Sequence, residues 1–274
     1  MQQVEAITSA ILNRLSDCQE AICEQWNNPV GTPTKHFVVD ELLPEATCAE
    51  IYDAFPRDGN GFFNRESFRE KKRTSANLSS YPEILSDAAY GLQDVRVVEY
   101  VSKLIGIDSL EPDPKLYAGG LSMMFQGDFL NPHIDNSHDG DRQKYRRVNL
   151  LYYVSPDWAA ENGGNFELWD EKQKVQKTIT SKTNRLIVME TTKKSWHSVS
   201  PVTVDRPRCC VSSYYFSEES PDSDDYFHVT SFTGRPEEKF RRALGAIDNA
   251  ARNGISKLLK VGRGKHLVND DERL

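Results

Sequence analysis

Cysteine is scarce in this chain and irregularly placed: Cys18, Cys23, Cys48, Cys209 and Cys210 are the only five, and no CxxC pair occurs. An odd, unpatterned set suggests neither a disulfide framework nor a zinc ribbon, and reduced thiols in a cytoplasmic protein are the expectation. Long apolar runs are also missing. No segment approaches the roughly 20 apolar residues that a membrane span needs, so no membrane association is expected. The start, MQQVEAITSAILNRL, has neither the basic opening nor the continuous apolar run of a signal peptide. A basic surplus is absent as well: 34 Lys and Arg stand against 41 Asp and Glu, a net charge of −7, which argues against a nucleic-acid partner. Histidine is the last shortage. Only six are present, and that narrows any search for a metal site.

The chain does have material for a core. Its 274 residues, 38% hydrophobic and 27% charged, suit one large domain, or one domain with a helical annex. Val4, Ile7, Ile11, Leu15, Cys18, Ile22 and Trp26 recur at spacings of three and four, so residues 2–27 read as an amphipathic helix whose stripe is a packing face. KHFVVDELL (35–43) reads as a short strand, and PEATCAEIYDAF as a helix with Pro44 in its first turn. Residues 57–81 are polar, carry Lys71, Lys72 and Arg73, and lack a clear period, so they read as a long loop. Helical signals return between about 82 and 106, and EPDP (111–114) marks a boundary.

From residue 115 the character changes. LYAGGLSMMF, RRVNLLYYVS, GGNFELWD, KTIT, NRLIVME and RCCVSSYYF are short β-rich runs separated by turn residues, the pattern of an all-β barrel or jelly roll. Residues from about 236 to 260 read as helical again, with Phe240, Leu244 and Ile247 on one side, followed by a charged tail. The expected layout is mainly β with flanking helices. It has an N-terminal helical support region (1–110), a β core (111–235) and a C-terminal helix with charged tail (236–274), all within one structural unit.

Within the β region, NPHIDNSHDG (131–140) holds His133 and Asp135. On a strand, residues i and i+2 point to the same side, so one imidazole nitrogen and one carboxylate oxygen converge. A third ligand must come from elsewhere. His197, in KKSWHSVSPV, follows the apolar run RLIVME, and an antiparallel roll can return it beside His133. Two His and one carboxylate with other positions open is the donor set of non-heme Fe(II) oxygenases. His138 lies in a Gly/Asp-rich loop and reads as solvated; His36 and His266 lie outside the β core and are not expected to be ligands.

The ordered motifs PHID, RRVNLLYYVSPDWAAENGGNFELWD, HSVSPV and RPRCCVSSYYFS, spanning about 132–217, resemble the 2-oxoglutarate- and Fe(II)-dependent dioxygenases, nearest the prolyl-4-hydroxylase-like branch. Weaker similarity extends to FVVDELLP and HVTSFTGRP. The resemblance implies a double-stranded β-helix with His133, Asp135 and His197 as iron ligands, and 2-oxoglutarate and O2 as cosubstrates. It implies ascorbate as an optional reductant. It also implies a basic residue past the distal His that grips the far carboxylate of 2-oxoglutarate. Arg206 and Arg208 are the candidates. Arg208 shares a strand face with Cys210, Ser212 and Tyr214, whereas Arg206 precedes Pro207 in a turn, so Arg208 is preferred; a planar guanidinium suits a carboxylate. Where the family often has Arg-x-Ser, this chain has Arg-x-Cys, with Cys210 in the Ser position. Tyr153 is the second cosubstrate candidate, with Tyr117 weaker, and Gly163–Gly164 reads as a tight turn.

The implied reaction hydroxylates an unactivated C–H bond of a small molecule or peptidyl residue, releasing succinate and CO2. Asp135 favours this over halogenation, because related halogenases have Gly or Ala there. Desaturation and cyclisation stay open, as does a non-catalytic jelly-roll ligand- or metal-binding protein. A zinc hydrolase would leave the strand-borne arginine unexplained. The loops 57–81 and 136–147 are expected to flank the mouth. Arg142, Lys144, Arg146 and the 71–73 cluster either attract an anionic substrate or are solvated loop charges.

Overall fold

The computed structural model describes residues 2–222 and 224–238; the helix expected from about 236 to 260 lies almost entirely outside them. Among the described residues five α-helices are interleaved with the first three strands: α1 (Gln2–Asp17), α2 (Gln19–Asn27), α3 (Glu45–Ala54), α4 (Glu83–Gln93) and α5 (Val95–Ile105). The single helix expected over 2–27 is two, broken at Cys18, yet its stripe holds: Ile7, Ile11, Leu15, Ile22 and Trp26 are all buried. Pro44 precedes α3 as its cap rather than entering the first turn. For α5, the Asp94 side chain accepts the Arg96 N–H at the start, and Gly106 closes the end in a left-handed conformation.

Twelve strands form one curled sheet: β1 (His36–Asp40), β2 (Phe63–Glu66), β3 (Glu70–Ser75), β4 (Gly120–Met124), β5 (Phe129–Ile134), β6 (Tyr145–Tyr153), β7 (Phe166–Trp169), β8 (Gln176–Ile179), β9 (Arg185–Glu190), β10 (His197–Val199), β11 (Arg208–Ser217) and β12 (Ser231–Phe232). The order is β1-β9-β6-β11-β4-β3-β5-β10-β7-β8, with β12 added to β5 and β2 to β3. The fold is the expected jelly roll.

One expectation fails. Residues 57–81 are not a long loop: β2 and β3 form a hairpin within them, and β3 pairs with both β4 and β5, joining the two walls of the roll. Its charges hid it. Most β3 side chains are half-buried rather than apolar, so no hydrophobic alternation announces the strand.

Elsewhere the alternation is clear. On β6, Val148, Leu150 and Tyr152 pack outward into the core shared with the helices, as do Cys209, Val211 and Tyr215 on β11. Asn149, Leu151, Tyr153, Arg208, Cys210, Ser212 and Tyr214 face inward and line a cavity. Successive strand residues point to opposite faces, so Cys209 and Cys210 separate into different clusters. The helices cover the outer face, with α4 against β11 and α2 against β1, which leaves the inner face for chemistry.

Candidate metal and cosubstrate site

His133 on β5 pairs directly with His197 on β10, while the next pairing joins Val199 to Leu130. Three residues of β10 (197–199) thus span four of β5 (130–133). This bulge shifts the parity, so that Leu130, His133 and Asp135 all border the inner cavity. Pro132 sits in the bulge, where its missing N–H is tolerated, and its carbonyl accepts from Thr233 N–H.

Among the described residues, His133, Asp135 and His197 form the one group of His, Cys, Asp or Glu side chains whose ligand atoms lie within 4.8 Å of one another. Nε2 of His133 is 3.7 Å from Asp135 Oδ1, and Nε2 of His197 is 3.7 Å from Oδ2. These distances are too long for hydrogen bonds. They suit donors that share one ion at about 2 Å each. Both imidazoles are oriented for it. Nδ1 of His133 lies 3.0 Å from the Asn131 carbonyl, and Nδ1 of His197 lies 2.9 Å from the Ser195 carbonyl. A carbonyl only accepts, so each Nδ1 carries the proton and each Nε2 turns a lone pair toward the cluster.

Electrostatics reinforce that state. Burial, aided by His197, drives the His133 pKa down to about 3, and burial lowers His197 as well. Burial alone would raise Asp135, but His197, Arg146, His133 and Lys72 outweigh it and hold the carboxyl below its usual range. Two neutral imidazoles and one carboxylate at pH 7 are the species a divalent metal needs. Asn149 donates to Asp135 Oδ2 at 3.4 Å, and Arg146 Nη1 lies 3.7 Å from Oδ1.

Deeper in the same cavity, Arg208 is 3% exposed. Its Nη1 donates to the Gly164 carbonyl at 3.1 Å, its Nε has no partner, and its guanidinium lies 5.0 Å from the Tyr153 ring. Arg206 is elsewhere, donating to the Pro156 and Asp157 carbonyls of a turn. Gly163 and Gly164 make the expected turn with φ of +68° and +61°. A Cβ on Gly163 would meet the Pro201 carbonyl oxygen at 1.9 Å, and one on Gly164 would meet Arg208 Cδ at 3.0 Å. The turn thus lets the chain approach the arginine. Cys210 borders the cavity from β11, its thiol pushed up to about 12 by burial.

Lys72 and Arg146, named from the sequence only as charges of the loops flanking the mouth, line it in the structure, and Phe232 joins them without having been named. Lys72, from the hairpin misread as loop, lines the mouth beside His133 and Asp135. Arg146, read as a loop charge, opens β6 and is 1% exposed, with Nε and Nη2 unpartnered and its guanidinium 3.8 Å over Tyr214. Phe232 on β12 stacks on His133 with ring centroids 5.1 Å apart; the run HVTSFTGRP was its only signal. His138 is not the solvated residue expected. It is buried against Tyr145, with Nδ1 2.8 Å from Ser137 Oγ, and it is not part of the ligand cluster. His36 is buried on the edge strand β1, away from the cluster.

Comparison with known proteins agrees. Residues 119–216 match the family model described as the 2OG-Fe(II) oxygenase superfamily. Over 163 residues the chain is 27% identical to prolyl 3-hydroxylase OGFOD1 of Mus musculus, covering 57% of this chain and 27% of that protein; the match spans about a quarter of the relative's length. A prolyl-4-hydroxylase of Pseudomonas putida superposes with a TM-score of 0.54 at 15% identity, covering 74% of this chain and 100% of that one. A prolyl 4-hydroxylase of Phytophthora capsici gives 0.53 at 15% identity over 94% and 78%. A Trichoplax adhaerens prolyl hydroxylase, solved with a hypoxia inducible factor peptide, gives 0.51 at 18% identity over 76% and 92%. At such identities the structures speak for the fold, a jelly roll shared with 2-oxoglutarate oxygenases, and the family match is confined to residues 119–216, the segment that carries His133, Asp135, His197 and Arg208.

Proposed function

We propose that the protein is an Fe(II)- and 2-oxoglutarate-dependent hydroxylase that acts on an unactivated C–H bond of a peptidyl residue or small molecule, releasing succinate and CO2. The observation that carries this reading is the convergence of His133, Asp135 and His197 in a cavity whose inner wall bears Arg208 and Tyr153. The donor set fits ferrous iron: two neutral imidazoles and a carboxylate leave coordination positions open. Bound iron would supply the oxygen activation, coupled to oxidation of 2-oxoglutarate.

The chain's own residues do the rest. His133, Asp135 and His197 would hold the metal, the two imidazole protons already placed by the Asn131 and Ser195 carbonyls. Arg208 offers its unpartnered Nε and remaining N–H groups to the far carboxylate of 2-oxoglutarate. Tyr153, whose hydroxyl stays protonated because burial raises its pKa, donates a further hydrogen bond. Leu130, Phe166 and Val199 keep that pocket apolar and exclude water. Arg146, packed beside Asp135 at the mouth, keeps that carboxylate ionised. Phe232 fixes the plane of the His133 ring.

Purified protein supplied with Fe(II), 2-oxoglutarate and ascorbate is expected to release succinate in an O2-dependent way, slowly without substrate. An anaerobic titration with Fe(II) and 2-oxoglutarate should develop a weak visible charge-transfer band. His133→Ala and Asp135→Ala should abolish both signals. Succinate release unchanged in these variants would defeat the assignment.

A further inference from the structure

The mouth of the metal site is nearly shut. It encloses about 40 Å³, room for about three waters, whereas pockets that take small molecules measure about 300 Å³ or more. The inner cavity adds about 80 Å³ and shares Lys72, Thr74, Ala118 and Tyr214 with the mouth, so the one leads into the other. A molecule large enough to react beside His133 and Asp135 cannot enter until a wall moves.

Most of the lining comes from strands held on both edges. Glu70, Lys72 and Thr74 lie on β3, which pairs with β2 along one edge and with β4 and β5 along the other. Arg146 and Tyr214 lie on β6 and β11, in the middle of the sheet. Thr230 and Phe232 are the exception. β12 is two residues long and, among the described strands, pairs with β5 alone.

Firm anchors bracket this piece. Upstream, His228 N–H donates to Ser137 Oγ at 3.0 Å, and the His228 carbonyl accepts from Ser137 N–H at 3.1 Å. Downstream, the Arg235 guanidinium forks onto the Glu167 carboxylate at 2.7 and 3.3 Å and donates to the Val199 carbonyl at 3.3 Å. Glu167 is 2% exposed, and withdrawing Arg235 would strand a buried charge, so this anchor holds. Between the anchors the segment is joined to the roll by the β12 pairing, by Thr233 N–H on the Pro132 carbonyl at 2.8 Å, and by Phe232 stacked on His133. Those contacts can open without unseating either end.

We propose that residues 229–234 are a flap over the metal site, swinging between the His228–Ser137 and Arg235–Glu167 anchors, and that cosubstrate and substrate enter where Thr230 and Phe232 lift away. The inference rests on the oxygenase reading for what enters, and it adds the route.

Hydrogen–deuterium exchange on the full chain compares hydrogen-bonded amides on either side of the pivot. Thr233 N–H is expected to exchange about tenfold faster than Ser137 and His228 N–H at the upstream anchor. A covalent lock supplies the second arm. Ser231 and Ile134 are cross-strand partners, close enough for a disulfide, and Ile134 alternates with His133 and Asp135, which puts the bridge on the face away from the metal. In Ile134→Cys/Ser231→Cys carrying Fe(II) under anaerobic conditions, stopped-flow appearance of the 2-oxoglutarate charge-transfer band should be about tenfold slower when the pair is oxidised. The reduced double variant and oxidised wild type should both keep the faster rate. Thr233 as protected as the anchors, or a band that forms equally fast with the bridge closed, would overturn the flap. If the double variant misfolds, the exchange comparison decides alone. No band in wild type, with Thr233 still exchanging fast, would sink the oxygenase reading and leave the flap standing.

Discussion

Replacing Arg208 by Met is the sharpest test of the proposal that this side chain grips 2-oxoglutarate. The side chain is 3% exposed and gives one N–H to Gly164 O. That carbonyl also accepts from Ser181 Oγ at 2.7 Å, so the substitution leaves no orphaned acceptor and the fold should survive. On the proposed role, what would be lost is a forked pair of charge-assisted hydrogen bonds to a carboxylate, each about 1.5–3 kcal/mol. Water entering the shortened site recovers part of that, so about 3 kcal/mol is the expected net loss, or roughly 150-fold in 2-oxoglutarate affinity. Arg208→Lys keeps the charge and loses the fork, and about tenfold is expected. The assay is KM for 2-oxoglutarate in O2-dependent succinate release, with kcat compared at saturating cosubstrate. Arg206→Ala is the control, because Arg206 is tied to the Pro156 and Asp157 carbonyls outside the cavity. If Arg206→Ala raised KM by two orders of magnitude while Arg208→Met left it unchanged, the geometry would have been misread.

Other outcomes follow from the same structure. Burial lifts Asp113 to about 6, above the value near 3.9 of an unfolded chain. Its carboxyl is neutral and harmless below pH 4, and stability is lost as pH rises through 6. Asp113→Asn should therefore be more stable than wild type at pH 8 by up to about 3 kcal/mol, with the gap closing by pH 4 in urea melts; a pH-independent gap would contradict this. Gly163→Ala should cost about 3–5 kcal/mol, since its Cβ would lie 1.9 Å from Pro201 O at a φ of +68°, and a variant melting like wild type would count against the turn. The buried Glu167 carboxylate is held by Arg235 at 2.7 Å and Ser198 at 2.5 Å. Arg235→Met should cost about 3 kcal/mol by stranding that charge. It should also weaken Co(II) binding, because Arg235 closes the segment that lays Phe232 on His133; undiminished affinity would separate that segment from the metal ligands.

The sequence by itself determined the parts that depend on local periodicity. Alternation in RRVNLLYYVS and RCCVSSYYF decides which residues face the helices, and it places Tyr153 and Arg208 on the opposite side. The i, i+2 spacing puts His133 and Asp135 together, and Gly163–Gly164 marks a turn that no side chain would permit. The tertiary structure decided what depends on partners distant along the chain. Strand β3 gains its place by pairing with β4 and β5, and its charged residues show no apolar signal because one of them, Lys72, lines the site. Arg146 looks like any loop charge until the rings of Tyr117, Tyr214 and Phe216 surround it. His138 looks solvated until Tyr145 covers it. Burial of a polar side chain is a property of what packs over it, and residues separated by tens of positions supply that cover only once the sheet has curled.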